Sequence, residues 1–384
     1  MKPIGDRSRV YVIGLVASWV VCVALPLGLS TLLGRFAFGL PLLGVGVWFV
    51  ALRLGRLASP PARCDRLLAR GHFAQAIALC EGELAVGGED AWRGTRRLAW
   101  LIRQSNALAG MGRYNAALVL AAEALAAHPN PETLANCAQC LLWLNRYDEA
   151  EEAARLALNL TRGRSVSANA VLATVALAKG QPAEAEAAAR SGLSDVEALL
   201  PFVQPAHQAA LLAALSRAER EVGEAAQAAK HLRALLRVAR HNPLLQAQAL
   251  LEEADALASG PVPTRLEALE RLSRAAALAP HYVCWYLSQP ATLFEVRGEA
   301  MFAATWQMAH TAWQRALPPA EANAPTDAPS RVHIAVELAA AEERGYTRPA
   351  RHSSWAALVI QACALVGTLG LLIWWTWRFF ILGA

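Results

Sequence analysis

One local phrase returns along the middle of this 384-residue chain. It consists of a turn residue, an aromatic or small residue, and then alanines spaced along one face of a helix. It stands at Gly112-Arg113-Tyr114-Asn115-Ala116-Ala117, at Asn145-Arg146-Tyr147-Asp148-Glu149-Ala150 and at Gly180-Gln181-Pro182-Ala183-Glu184-Ala185. The copies lie 33 positions apart (112 to 145) and then 35 (145 to 180). A unit of that length cannot bury its apolar face alone, so successive units must stack on one another into a solenoid. Ala and Leu dominate, and alternating β-type patterns are scarce, so the expected fold class is all-α.

These units resemble the tetratricopeptide repeat (TPR) family, whose helix–turn–helix unit has small residues where its helices cross and an aromatic after the turn. The unit over residues 98–131 has its turn at Gly112, then Tyr114, packing alanines Ala117 and Ala124, and Pro129 to close the helix. The next matches with Ala138, Tyr147, Ala150 and Ala157, and the third with Ala173, Gly180, Ala185 and Gly192, where Pro182 replaces the aromatic. An earlier unit over 59–84 has Gly71, Phe73, Ala76 and Cys80, and an insertion around Gly87-Gly88-Glu89-Asp90 separates it from the second. Weaker units follow, one turning near Gly223 and one with Ala268, Ala275 and Pro280. The expected solenoid spans 58–280. The resemblance implies a concave groove, lined by the first helix of each unit, that holds an extended peptide or a helix. Its groove positions fall on Arg103 and Asn106, on Asn136, Gln139 and Trp143, and on Ser167 and Thr174.

Residues 281–317 depart from the repeat and are rich in aromatics. Two readings stay open: a helical cap over the end of the solenoid, or an exposed interface patch of Trp285, Tyr286, Trp306 and Trp313. A Pro-rich linker over 318–330 and a short amphipathic helix over 331–354 come next.

The ends of the chain differ from its middle. Hydrophobic residues make up 55% of the chain and charged residues 17%, with a mean hydropathy of +0.28. That balance is depleted in charge in the direction of membrane proteins. Between residues 10 and 52 the one charge is Arg35. A single helix of that length would measure about 65 Å, twice a hydrocarbon core, so the segment is expected to turn near Gly34-Arg35. The expectation is an N-terminal transmembrane hairpin over 1–57, with spans near 10–33 and 36–52. A third span is expected within 355–384, with Trp355 at one end and Trp374, Trp375 and Trp377 at the other. Lys2, Arg7, Arg9, Arg53, Arg56, Arg63, Arg66, Arg344, Arg348 and Arg351 flank one side of these spans, against Arg35 and Arg378 on the other. The positive-inside rule then puts the N-terminus and the repeats in the cytoplasm and the C-terminus outside, in an inner (plasma) membrane.

No catalytic constellation stands out: there is no His-Glu-x-x-His, phosphate-binding loop or nucleophile elbow. Cys137-Ala-Gln-Cys140 has the spacing of a zinc or redox pair, but no second pair completes a metal site, and buried packing thiols are expected. The reading is therefore a non-enzyme with no cofactor or metal, binding proteins rather than nucleic acid or a small substrate. It is expected to act as an inner-membrane scaffold in assembly of an envelope complex. The alternative is a structural subunit of a membrane enzyme, secretion or transport complex that makes its contacts through its spans. The layout resembles inner-membrane TPR subunits of exopolysaccharide secretion systems and haem-biosynthesis-associated TPR proteins, with the third span a departure from both.

Overall fold

A computed structural model of the chain describes residues 59–86, 95–199, 205–289 and 292–319. Fourteen α-helices occupy these residues and pair into seven hairpins. The hairpins are α1 (Pro60–Ala69) with α2 (Phe73–Val86), α3 (Thr95–Gly110) with α4 (Tyr114–Ala127), and α5 (Pro131–Trp143) with α6 (Tyr147–Thr161). They continue with α7 (Val166–Ala178) and α8 (Pro182–Leu199), then α9 (Pro205–Val222) and α10 (Ala225–Ala239). The last two are α11 (Pro243–Ala258) with α12 (Val262–Leu278), and α13 (Pro280–Ser288) with α14 (Ala300–Ala316), the latter pair joined through a 3-10 turn at Phe294–Val296.

The turns explain why the units repeat. In the first five hairpins the first helix ends on a left-handed residue: Gly71, Gly112, Asn145, Gly180 and Gly223 all have positive φ. Each turn closes the same way, as at Gly112, where Gly112 N–H bonds Ala109 O and Arg113 N–H bonds Leu108 O. This satisfies the last carbonyls of the first helix and aims the chain back along it. Proline opens α1, α5, α8, α9, α11 and α13, where its missing N–H costs nothing. Asn130, Ser165 and Asn242 cap the helices that follow them through their side-chain oxygens. Between the helices of each hairpin lie the fully buried alanines, among them Ala117, Ala138, Ala150, Ala157, Ala173 and Ala185. Two helix backbones approach this closely only where a methyl group is the largest thing between them.

The solenoid curves tightly enough that its last two hairpins reach the turns of the first three. Asn242, at the start of α11, donates to the Leu68 and Ala69 carbonyls at the end of α1, at 3.3 Å each. Trp285 Nε1 on α13 donates to Leu142 O at 3.1 Å, and Trp313 Nε1 on α14 donates to Gly112 O at 3.2 Å. The aromatic segment therefore folds as the seventh hairpin and packs back against the second and third.

Among the described residues no helix is long and apolar enough to cross a membrane. The three expected spans, the Gly87–Asp90 insertion and the 331–354 helix lie outside those residues.

Gly112 and Gly180 share the turn geometry, with φ of +76° and +70°. A Cβ at Gly112 would lie 2.5 Å from His281 Cβ, whereas nothing lies within 4 Å of one at Gly180. Gly180→Ala is expected to cost about 1–2 kcal/mol, from the left-handed conformation alone. Gly112→Ala is expected to cost at least about 1 kcal/mol more, through overpacking of the closure. Denaturant midpoints of the two variants measure the difference.

Candidate protein-binding site

Every first helix of the seven hairpins contributes to one cavity of about 160 Å³, from Asp65 on α1 round to Tyr286 on α13 and Gln289 just after it. It occupies the concave side of the solenoid, where the groove was expected. Four of the seven groove residues line it: Asn106, Gln139, Trp143 and Thr174. The other three, Arg103, Asn136 and Ser167, are turned to other uses.

Arg103, expected at a groove position, is committed within the fold. Its Nε and Nη2 donate to both carboxylate oxygens of Asp65 at 2.7 and 3.0 Å, and its Nη1 donates to Ala99 O. A bidentate pair of this kind joins the first two hairpins and leaves little for a ligand. Asn136 is buried and donates to Ser105 Oγ at 3.2 Å, and Ser105 in turn donates to Ala117 O. Ser167 lies 3.4 Å from the helix-capping Ser165, and Thr174 donates back to Ala170 O on its own helix.

Trp143 is a groove residue already covered. It stacks on Tyr114 at 5.5 Å with the rings 2° from parallel. From the other side Tyr282 and Trp285 of α13 meet it at 5.5 and 4.5 Å. Each such ring pair contributes about 0.5–1.5 kcal/mol beyond its area burial. This corrects the exposed-patch reading for half of its residues: Trp285 is 6% exposed and Tyr286 2%. Trp313 is half-buried against the second hairpin's turn, and Trp306 is exposed and stacked on His310. The four residues do not form one surface.

Three amide side chains remain available. The amides of Asn106, Gln139 and Gln248 line the cavity and make no hydrogen bond to any described residue. Gln248 on α11 was not foreseen, because its unit is one of the two weaker later ones, to which no groove positions were carried. A primary amide offers both a donor and an acceptor, the complement of a peptide group.

At one side of the cavity sits a charged network that sequence reasoning missed. Arg217 on α9 is 7% exposed, lies 4.9 Å over the Tyr286 ring, donates from Nη1 to Gln289 Oε1 at 3.0 Å, and has Asp255 at 3.8 Å. Arg220 pairs with the same Asp255 at 2.7 Å and with buried Glu252 at 3.5 Å. Asp255 also accepts from Leu293 N–H, so the network ties the fifth, sixth and seventh hairpins together. The run Arg217-Ala218-Glu219-Arg220-Glu221 puts charge on more than one face of α9. That was the one signal that some of it had to be buried.

The Cys137 and Cys140 thiols are buried packing groups on α5. Burial pushes the Cys140 thiol up to about 12, against a hydrogen bond with Ser105. All five described cysteines are free and buried, with Cys64 and Cys80 at 3.6 Å within the first hairpin. No group of three or more His, Cys, Asp or Glu among the described residues is placed to hold a metal ion.

A cavity walled by the first helices of stacked hairpins defines a class, the α-solenoid of helical repeats. The tetratricopeptide repeat family matches residues 108–166, from the last turn of α3 through α4, α5 and α6 to the first residue of α7, and the consecutive helix–turn–helix units around that stretch are similar to it. No curated protein matches the chain. Repeats of this family generally mediate protein–protein contact, which is consistent with an interaction scaffold.

Burial pushes the imidazoles of His207 in the cavity and His281 against the second turn down to about 4 each. Unfolded, both titrate near about 6.5, so below that pH the unfolded state binds protons that the folded state refuses. Their contribution to stability is complete above about pH 6.5 and is lost as pH falls toward 4. Glu252 works in the opposite sense, since burial raises its pKa and removes stability as pH rises above the ordinary carboxylate range. Replacing His207→Gln and His281→Gln together should flatten the acid limb of stability between pH 6.5 and 4, read from denaturant midpoints across that range.

Proposed function

We propose that this chain is a non-catalytic, membrane-held scaffold that receives an extended, uncharged segment of a partner protein on the inner face of its solenoid. The observation carrying this reading is the set of three uncommitted amides, Asn106, Gln139 and Gln248, presented by three different first helices to one cavity. Side-chain amides spaced along such a face pair with successive peptide groups, while the aromatic wall of Trp143, Tyr282 and Trp285 takes apolar side chains. The pairing of Arg103 with Asp65 argues against an acidic peptide. Anchoring by spans within 10–52 and 355–377, cytoplasmic repeats, and a place in assembling an envelope complex are supported by charge and hydropathy patterning alone.

A second reading has an observation of its own. Much of the inner face is already engaged by α13, which favours a structural subunit whose main contacts lie in its apolar termini. The two readings separate in one experiment: co-purification from native membranes in mild detergent, comparing wild type with an Asn106→Ala/Gln139→Ala/Gln248→Ala variant. The scaffold reading expects a soluble partner to fall by at least about tenfold, since each lost hydrogen bond is worth about 1 kcal/mol. Unchanged partners, all membrane-integral, would sink it in favour of the second.

A further inference from the structure

The second helix of each hairpin faces outward, and on most of these helices charge is balanced. Arg155 pairs with Glu151 on α6, Arg190 with Glu186 on α8, and Arg271 on α12 with Glu253. The helix α10 breaks this pattern. Lys230, Arg233, Arg237 and Arg240 follow one another at helical spacing, all exposed, and no Asp or Glu occurs from residue 225 to 251. None of the four forms an ion pair with a described residue, and Arg233 only donates to Ala229 O on its own helix. Opposite them Ala228, Leu235 and Ala239 are buried in the solenoid, so the cations form an outward stripe. The stripe runs about 15 Å along the helix. Leu236, 37% exposed, stands within it.

We infer that the outer face of α10 docks on anionic lipid headgroups at a membrane surface. A row of unpaired cations on an outward face is complementary in charge to an anionic leaflet. Attraction to a negatively charged leaflet grows with each cation near the surface and decays within a Debye length. No Phe, Tyr or Trp lies on this helix to give single-stranded nucleic acid a stacking platform, and an RNA oligonucleotide is therefore an arm of the test below. The inference rests on the membrane-held reading proposed from the membrane-length apolar stretches at 10–52 and 355–377.

The chain has three lysines, Lys2, Lys179 and Lys230, so acetylation followed by mass spectrometry reports on the stripe directly. Lys179, held by Asp148 and Glu151 at 2.6 Å each, is the internal reference. The full chain is placed in nanodiscs of phosphatidylcholine, with or without phosphatidylglycerol. The expected result is that the anionic lipid slows acetylation of Lys230 by at least about fivefold relative to Lys179, an effect that molar salt removes. The Arg233→Gln/Arg237→Gln/Arg240→Gln variant, altered only at exposed positions, should lose that protection and keep its melting temperature. Equal Lys230 rates in the two lipids would overturn the inference. So would protection by an RNA oligonucleotide or an acidic peptide in neutral discs without any effect of phosphatidylglycerol. Anchoring is tested apart from this, by whether alkaline carbonate strips the chain from cell membranes. If it does, the footprint is read with vesicles of the same lipids added to the full chain, so the two ideas fail separately.

Discussion

The contact on which the architecture depends is the ring stack around Trp143. Tyr114 lies flat against it from the second hairpin, and Tyr282 and Trp285 meet it from the seventh. Hydrogen bonds from Trp285 and Trp313 to the carbonyls of Leu142 and Gly112 fix the register of that meeting. A solenoid of stacked hairpins would otherwise be held only by nearest-neighbour interfaces. Here residues 143 and 201 positions apart in the chain are in contact, so the end hairpins are coupled and the curvature is set.

Closure changes what the inner face can offer. An open groove presents its polar side chains to solvent along its whole length. In this chain the same side chains divide into those that hold hairpins together, as Arg103 and Asn136 do, and those left facing a confined cavity. The three free amides belong to the second group. The confined space limits an occupant to something narrow. The buried network of Arg217, Arg220, Glu252 and Asp255 acts on the same hairpins, and removing one partner of such a set leaves another charge buried and unmatched. It lies beside the cavity, where α9, α11 and α13 converge.

The outer face answers to different constraints. Exposed cations and carboxylates pair weakly there and contribute little to stability. A departure from balance, such as the unpaired stripe on α10, is therefore free of any structural duty and is better explained by what approaches it.

Amino-acid sequence alone determined the hairpins. The left-handed Gly or Asn at each turn, the prolines and caps at helix starts and the alanines at the crossings act over a few residues, so all were legible at Gly112, Asn145, Gly180 and Gly223. Gln139 and Asn106 were found because they sit at fixed offsets within clear units, and Gln248 was missed because its unit is degenerate. Tertiary structure decided the rest. How far the seventh hairpin travels round depends on small rotations accumulated over every interface between, and no local pattern carries that sum. For that reason Trp285 and Tyr286, left open in the sequence between a cap and an exposed patch, are core in the fold, and Arg103, placed at a groove position, is half of an ion pair.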